Sequence, residues 1–158
     1  MNGGKTINLP AAYMLIRKDN QLLFVLRTNT GFMDGLYSLP AGRVEPNEAF
    51  RAAAIRETME EVGLTVEPTH AAYAYTQHRF KPDGVWVDVF FEADQWTGVP
   101  KNASPKEHGE IAWFPIEALP TNKLMDYQLA GIEGILSGNK YGEFHWPAEK
   151  SDADESSV

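Results

Sequence analysis

The chain has 158 residues, a net charge of −8 and 43% hydrophobic residues, with four Trp, six Tyr and eight Phe. That length fits one domain able to bury about two-thirds of its unfolded surface, and the aromatics are ample for its core. The acidic balance excludes duplex nucleic acid as a partner, because duplex binding needs a basic surface that displaces counterions; the lack of Cys excludes disulfides and thiolate chemistry.

Met1–Pro10 carries one Lys and no apolar core, so no secretory signal is expected. No apolar run approaches the roughly 20 residues that span a bilayer, so a soluble cytoplasmic protein without membrane contact is expected. A tail over residues 1–8 precedes a domain expected to run from 9 to 146. Ala11–Ile16 and Leu22–Leu26 are apolar runs separated by Arg17-Lys18-Asp19-Asn20-Gln21. Asp and Asn favour turns, which predicts a strand pair. Continuous apolar character predicts burial on both sheet faces, hence a layered α/β arrangement. Arg27 ends the second run and is either a surface charge or a phosphate contact, since it leads into the loop Thr28–Gly35. Tyr37-Ser38-Leu39-Pro40 then delivers the chain to Ala41-Gly42, where glycine permits close backbone approach to a ligand.

Asn47 suits a helix start and Gly63 a left-handed helix end, which predicts a helix of about four turns between them. At about 100° per residue, Ala52, Ile55, Met59 and Val62 form an apolar stripe expected to dock on the core. Glu57, Glu60 and Glu61 gather on the opposite side, with Ala53 and Ala54 beneath them. Carboxylates three and four residues apart repel by a few tenths of a kcal/mol. They also sit toward the helix C-terminus, where the macrodipole disfavours anions. Local conflicts of this kind concentrate at functional sites. A divalent cation turns such repulsion into coordination, and oxygen ligands at this density suit Mg²⁺ or Mn²⁺. A bare Glu-Glu pair would read as a solvated helix face; the wider spacing described below changes that.

Beyond the helix, Thr65-Val66-Glu67 is short and extended. His70–Phe80 and Val85–Ala93 read as strands joined by the turn Lys81-Pro82-Asp83-Gly84. His78 and Arg79, near that turn, either meet a substrate or are polar strand ends. Trp96–Pro105 is a loop, followed by Glu107-His108-Gly109-Glu110 and the apolar Ile111-Ala112-Trp113-Phe114. His108 reads as a loop residue, because one His without a second soft ligand does not make a zinc site. Thr121 or Asn122 can cap a second helix whose Met125, Leu129, Ile132 and Leu136 recur at packing intervals, with Gly138 closing it. Tyr141, Phe144 and Trp146 form an aromatic segment that packs back on the domain. Residues 147–158 are acidic with little to bury, and disorder is expected there.

Gly42, five residues, Glu48, seven residues, Arg56-Glu57, then Glu60-Glu61 and Gly63 together resemble the Nudix box, with Leu39-Pro40-Ala41 resembling its lead-in. Seven fixed positions at roughly 6% usage each give a chance match of order 10⁻⁷ for a chain of this length. Thr58 stands where the family usually has an aliphatic residue. The resemblance implies a Nudix fold, a mixed β-sheet sandwiched between helices. It implies Mg²⁺-dependent hydrolysis of a nucleoside diphosphate linked to a group X, a nucleoside triphosphate above all, with ADP-ribose or a nucleotide sugar as the enzymatic alternative. A non-catalytic nucleotide sensor is the alternative of another class, and the intact charged positions weigh against it. By the same resemblance, the Ala41 carbonyl, Glu57, Glu60 and Glu61 are metal ligands, with Glu60 also placed in the catalytic set. Arg56 orients box carboxylates, Glu48 or Glu60 being its partners. Glu110 or Glu107 supplies a further carboxylate as metal ligand or general base. Arg27, Gly42 and His78 are candidates for substrate contact. Many members of the family are dimers, which leaves a homodimer open.

Overall fold

A computed structural model describes residues 4–148; most of the tail expected to be disordered lies outside them. In chain order the elements are β1 (Asn8–Lys18), β2 (Gln21–Arg27), β3 (Tyr37–Ser38), β4 (Ala41–Arg43), α1 (Phe50–Val62), β5 (Ala72–Lys81), β6 (Gly84–Ala93), β7 (His108–Pro115), α2 (Asp126–Leu136) and β8 (Tyr141–Phe144). The strands run in the order β3-β2-β1-β6-β5-β8, with β4 added on β1 and β7 on β2. The sheet is mixed: β1 is parallel to β6 and β5 to β8, while the other pairs are antiparallel.

The first hairpin turns through Asp19 and Asn20, both at positive φ (51° and 61°), as residues that tolerate left-handed backbone allow. Only Arg17 and Lys18 then pair with β2. The rest of β1 pairs with β6, from Asn8–Val85 to Ile16–Ala93. β1 is buried on both faces, as its unbroken apolar run predicts. Ala12, Met14 and Ile16 join Leu23, Val25, Ala53, Ala54 and Val62 in a core under α1. Ala11, Tyr13 and Leu15 join Leu22, Phe24, Tyr127 and Ile132 in a second core under α2. The two helices therefore cover opposite faces of the sheet, in the sandwich the sequence implied. No helix among the described residues is long and apolar enough to cross a membrane.

Three local expectations need correction. Helix α1 starts at Phe50 with Ala49 as its N-cap and no capping side chain; Asn47 instead takes φ 65° in the preceding turn. The docked face of α1 is Ala53, Ala54, Thr58 and Val62, while Ala52 and Met59 of the expected stripe are exposed. Small side chains let the helix axis lie close to β1, and Thr58 satisfies its hydroxyl on the Ala54 carbonyl at 2.7 Å. Glu57 and Glu61 are drawn toward the interior on the same face. Helix α2 starts at Asp126 with Met125 as N-cap, while Thr121–Lys123 forms a separate 3₁₀ turn. It buries Tyr127, Gln128, Gly131 and Ile132, and Leu136 is exposed.

The glycines of α2 are explained by close approach. A Cβ on Gly131 would stand 2.4 Å from the Phe90 ring, and one on Gly134 would stand 2.7 Å from the Tyr75 ring. The aromatic tail segment becomes the edge strand β8, and the Trp146 indole donates to the His78 carbonyl at 2.7 Å. Replacing Gly131→Ala should raise helix propensity by about 1 kcal/mol yet destabilise overall, because overpacking against Phe90 costs roughly 1–3 kcal/mol or more. A urea midpoint at or above the wild-type value would show that α2 does not press on Phe90.

Candidate active site

The chain between β3 and α1 wraps around one guanidinium. Arg56 Nε and Nη2 donate to the two carboxylate oxygens of Glu48 at 2.8 and 3.0 Å. Its Nη1 donates to Glu57 at 2.9 Å and to Glu60 at 3.3 Å, and Nη2 also donates to the Arg43 carbonyl at 3.2 Å. Arg56 thus contacts both carboxylates proposed from the sequence, and Glu57 besides. The forked pair with Glu48 is the strong form of such contacts. It holds the Glu48 carboxyl below the usual range, while these partners push the Arg56 pKa upward.

A Cβ at Gly42 would run into the Glu57 carboxylate, so any larger residue there would push that side chain aside. The carboxylate of Glu57 covers the glycine backbone. One helical turn on, Glu61 accepts the Ala41 N–H at 3.1 Å. Met14 donates to Pro40 and Val44 to Pro10, so the antiparallel alternation leaves Ala41 in a non-hydrogen-bonded pair with Tyr13. Its N–H and C=O both turn away from β1, toward Glu61. Burial raises the Glu57 pKa, with Arg56 opposing. Burial, then the neighbouring Glu57 charge, raises that of Glu61 well above the usual value. No ion pair holds Glu61 among the described residues. Two stacked carboxylates, one of them lacking a cation, beside an outward backbone carbonyl make an all-oxygen donor set that fits a hard divalent ion. As they stand, no three acidic or His side chains among the described residues converge on one point. Arg56 holds Glu57 and Glu60 apart from Glu61.

The loop before β7 gives the two further carboxylates different surroundings. Lys101 N–H donates to the Val62 carbonyl, Ala103 N–H to the Glu61 carbonyl and Ser104 Oγ to the Glu60 carbonyl, at 3.0, 3.0 and 2.8 Å. The loop thereby caps the end of α1 and brings Glu107 close enough for its charge to raise the Glu61 pKa. Glu110 instead accepts the Tyr37 hydroxyl, whose pKa is pushed up to about 12. His108 is not a loop residue: it opens β7, is 3% exposed, and its Nδ1 has no partner among the described residues.

On the other side of Ala41-Gly42 lies a cavity of about 540 Å³. Leu9, Ala11, Tyr13 and Trp86 floor it, Tyr127 and Gln128 of α2 wall it, and Arg27, Arg43 and Lys81 stand at its edge. Arg27 lines the cavity, and its Nε also ties the loop by donating to the Phe32 carbonyl at 3.0 Å. His78 does not line it. It alternates with Arg79 along β5 and therefore faces the opposite side of the sheet, against Asn8 and Trp146. At the cavity floor the sequence reading missed a buried ion pair, Arg79 with Asp88, joined by Tyr13. Its one legible trace is Asp88, an acid inside the alternating apolar run Val85–Ala93.

Comparison with known proteins identifies the family. The family model described as NUDIX domain matches residues 8–131. Over 111 residues the chain is 35% identical to the NAD-capped RNA hydrolase NudC of Chromobacterium violaceum, covering 70% of this chain and 39% of that protein. It is 36% identical over 89 residues to the human 8-oxo-dGDP phosphatase NUDT18, covering 55% of this chain and 26% of that protein. The chain thus spans well under half the length of these curated relatives. Among solved structures, a MutT protein from Methanosarcina mazei Go1 superposes with a TM-score of 0.72 at 25% identity, covering 87% of this chain and 99% of that one. A MutT NUDIX hydrolase from Burkholderia pseudomallei gives 0.72 at 24% identity, covering 80% and 97%. The box spacing, the sandwich that carries it and these matches together establish that the chain belongs to the Nudix family.

Proposed function

We propose that this chain is a divalent-metal-dependent pyrophosphohydrolase of nucleoside diphosphate derivatives, cleaving a nucleoside triphosphate to the monophosphate and pyrophosphate. What carries the proposal is one juxtaposition. The half-buried carboxylates Glu57 and Glu61 lie on one side of Ala41-Gly42, and a nucleoside-sized cavity edged with cations lies on the other. A substrate crossing those two residues places its base in the cavity and its phosphoanhydride over the acidic helix end. The cavity volume falls within the range of ordinary small-molecule sites.

Glu57, Glu60, Glu61 and the Ala41 carbonyl would hold Mg²⁺ or Mn²⁺, which supplies charge neutralisation of the diphosphate and a more acidic water. Arg56 keeps Glu48, Glu57 and Glu60 in register and takes no proton. Glu107 accepts the proton of the attacking water, ahead of Glu110, which is engaged by Tyr37. Arg27 contacts a phosphate from the cavity edge. Displacement at phosphorus needs mainly this positioning and neutralisation. The similarity to NAD-capped RNA hydrolases supports a second reading, a dinucleotide pyrophosphate such as NAD as substrate. ADP-ribose remains a third member of the same chemical class.

The direct test incubates the protein and Mg²⁺ with nucleoside triphosphates, NAD and ADP-ribose, and follows pyrophosphate, phosphate and nucleotide products. Pyrophosphate from triphosphates is expected. Turnover of NAD alone would transfer the assignment to the second reading, and tight binding without any cleavage would leave a sensor. Glu61→Gln should lower turnover by about a hundredfold or more, comparable to losing one strong electrostatic group.

The same variant has an opposite effect on the metal-free fold. A carboxyl with a raised folded-state pKa loses stability as pH climbs from its unfolded value, about 4.3, toward the raised one, since the folded state holds the extra proton. Gln keeps an acceptor for the Ala41 N–H and carries no charge. In EDTA at neutral pH Glu61→Gln should therefore melt above wild type, and the gap should close below pH about 4. Identical melting curves at pH 7 would mean that Glu61 is well solvated. Of the two loop carboxylates, Glu107→Gln should abolish the acidic limb of the pH–rate profile while Glu110→Gln retains it. The reverse result would make Glu110 the base.

A further inference from the structure

We infer that Arg79 reads the nucleobase and selects a ring bearing a carbonyl acceptor, a 6-oxopurine over a 6-aminopurine. The inference deepens the proposed function, because it rests on the cavity receiving the nucleoside end of the substrate.

Arg79 is only 5% exposed and Asp88 is fully buried. Nε donates to Asp88 Oδ2 at 2.7 Å and Nη2 to Oδ1 at 3.0 Å. The Tyr13 hydroxyl donates to the same Oδ1 at 2.9 Å. The guanidinium lies 3.9 Å from the Tyr127 ring centroid and 5.0 Å from that of Trp86. Ion pair and rings together leave it a single orientation. In that orientation Nη1 has no acceptor among the described residues. Nor is it sealed in the interior: His108 Nδ1 is the side-chain atom found both buried and unpartnered there, and Arg79 lines the cavity. A fixed, charged donor therefore faces the space beside Tyr127 and Trp86.

Charge decides what such a donor recognises. Asp88 cancels the net charge of Arg79, so an incoming phosphate would gain little from the pair and would be repelled by the acid. A neutral acceptor still gains a charge-assisted hydrogen bond. Anionic groups are better served at the edge, where Arg27, Arg43 and Lys81 line the same cavity and the one acid paired with them among the described residues is the exposed Asp83, 3.8 Å from Lys81. Arginine only donates. A 6-oxopurine offers O6 and N7 as adjacent acceptors, whereas a 6-aminopurine turns an N–H toward the guanidinium. Discrimination by a well-placed arginine pair of this kind is worth roughly tenfold to a hundredfold.

Binding of non-hydrolysable α,β-methylene triphosphates, measured by calorimetry with Mg²⁺, tests this apart from catalysis. Wild type should bind the guanosine analogue about tenfold or more tighter than the adenosine analogue. It should also bind the inosine analogue tighter, by a similar factor, than the purine-riboside analogue, which lacks O6 and with it the N1 proton but keeps N7. In Arg79→Met/Asp88→Asn, which neutralises the pair and keeps an acceptor for Tyr13, the ratios should fall to near one. If that variant does not fold, the O6-deleted ligand on wild type still decides. Equal affinities across these bases in wild type, or a preference that survives the double substitution, would overturn the assignment to Arg79. A protein that cleaves triphosphates without discriminating bases overturns this inference and leaves the hydrolase standing; one that discriminates without cleaving does the reverse.

Discussion

The structure depends on how α1 is seated. A helix can bury one face only, and this one buries Ala53, Ala54 and Thr58 against β1. Those residues share their side of the helix with Glu57 and Glu61, so close packing of the small side chains takes two carboxylates out of water as well. Desolvating an acid is costly unless its charge is removed or matched. The fold meets that cost in part. Arg56 matches Glu57, Glu48 and Glu60 at once, and Glu61 receives one backbone N–H. The unmatched remainder, Glu61, is the charge that the proposed metal ion would neutralise.

The position of β4 follows from the same seating. Gly42 passes beneath Glu57 with no Cβ to push its carboxylate away. That pass puts Ala41-Gly42 between two regions of opposite character. On one side Glu61 has no cationic partner among the described residues, while Arg56 matches its neighbours. On the other, Arg27, Arg43 and Lys81 gather at a cavity edge in a chain whose net charge is −8. A phosphorylated ligand is attracted to the cationic edge directly, and to the acidic side only through a metal ion. In the proposed function, this polarity across two residues is what would orient a nucleotide.

The parts of this arrangement that were legible in the sequence are those encoded by spacing. The strands showed through their apolar runs and the Asp19-Asn20 and Lys81–Gly84 turns. The box showed through residues whose separations are fixed by one helix and one loop. The docked face of α1 did not show, because a helical wheel ranks side chains by hydrophobicity. Close packing here is decided by size, and Ala53 outcompetes Met59. The pair Arg79 and Asp88 was hidden because it depends on the register of two strands, which places nine residues of separation side by side. His78 looked equivalent to Arg79 in the sequence. Strand alternation puts them on opposite faces.

Glu107 and Glu110 could not be ranked from sequence for a related reason: their positions are set by what the preceding loop does. Helix α1 is locally weak, with no capping side chain at its start, no acid in its first turn and carboxylates near its end. Its last carbonyls are satisfied by Lys101, Ala103 and Ser104. The loop that completes the helix is thus bonded to the backbone of Glu60 and Glu61 themselves, and three residues after Ser104 it presents Glu107. A carboxylate tethered in this way keeps its distance from the box acids whenever the helix end shifts. Glu110, three residues into β7 and bonded to Tyr37, follows the sheet instead. Covalent closeness to the helix cap, rather than closeness to Trp113-Phe114, is the physical ground for preferring Glu107.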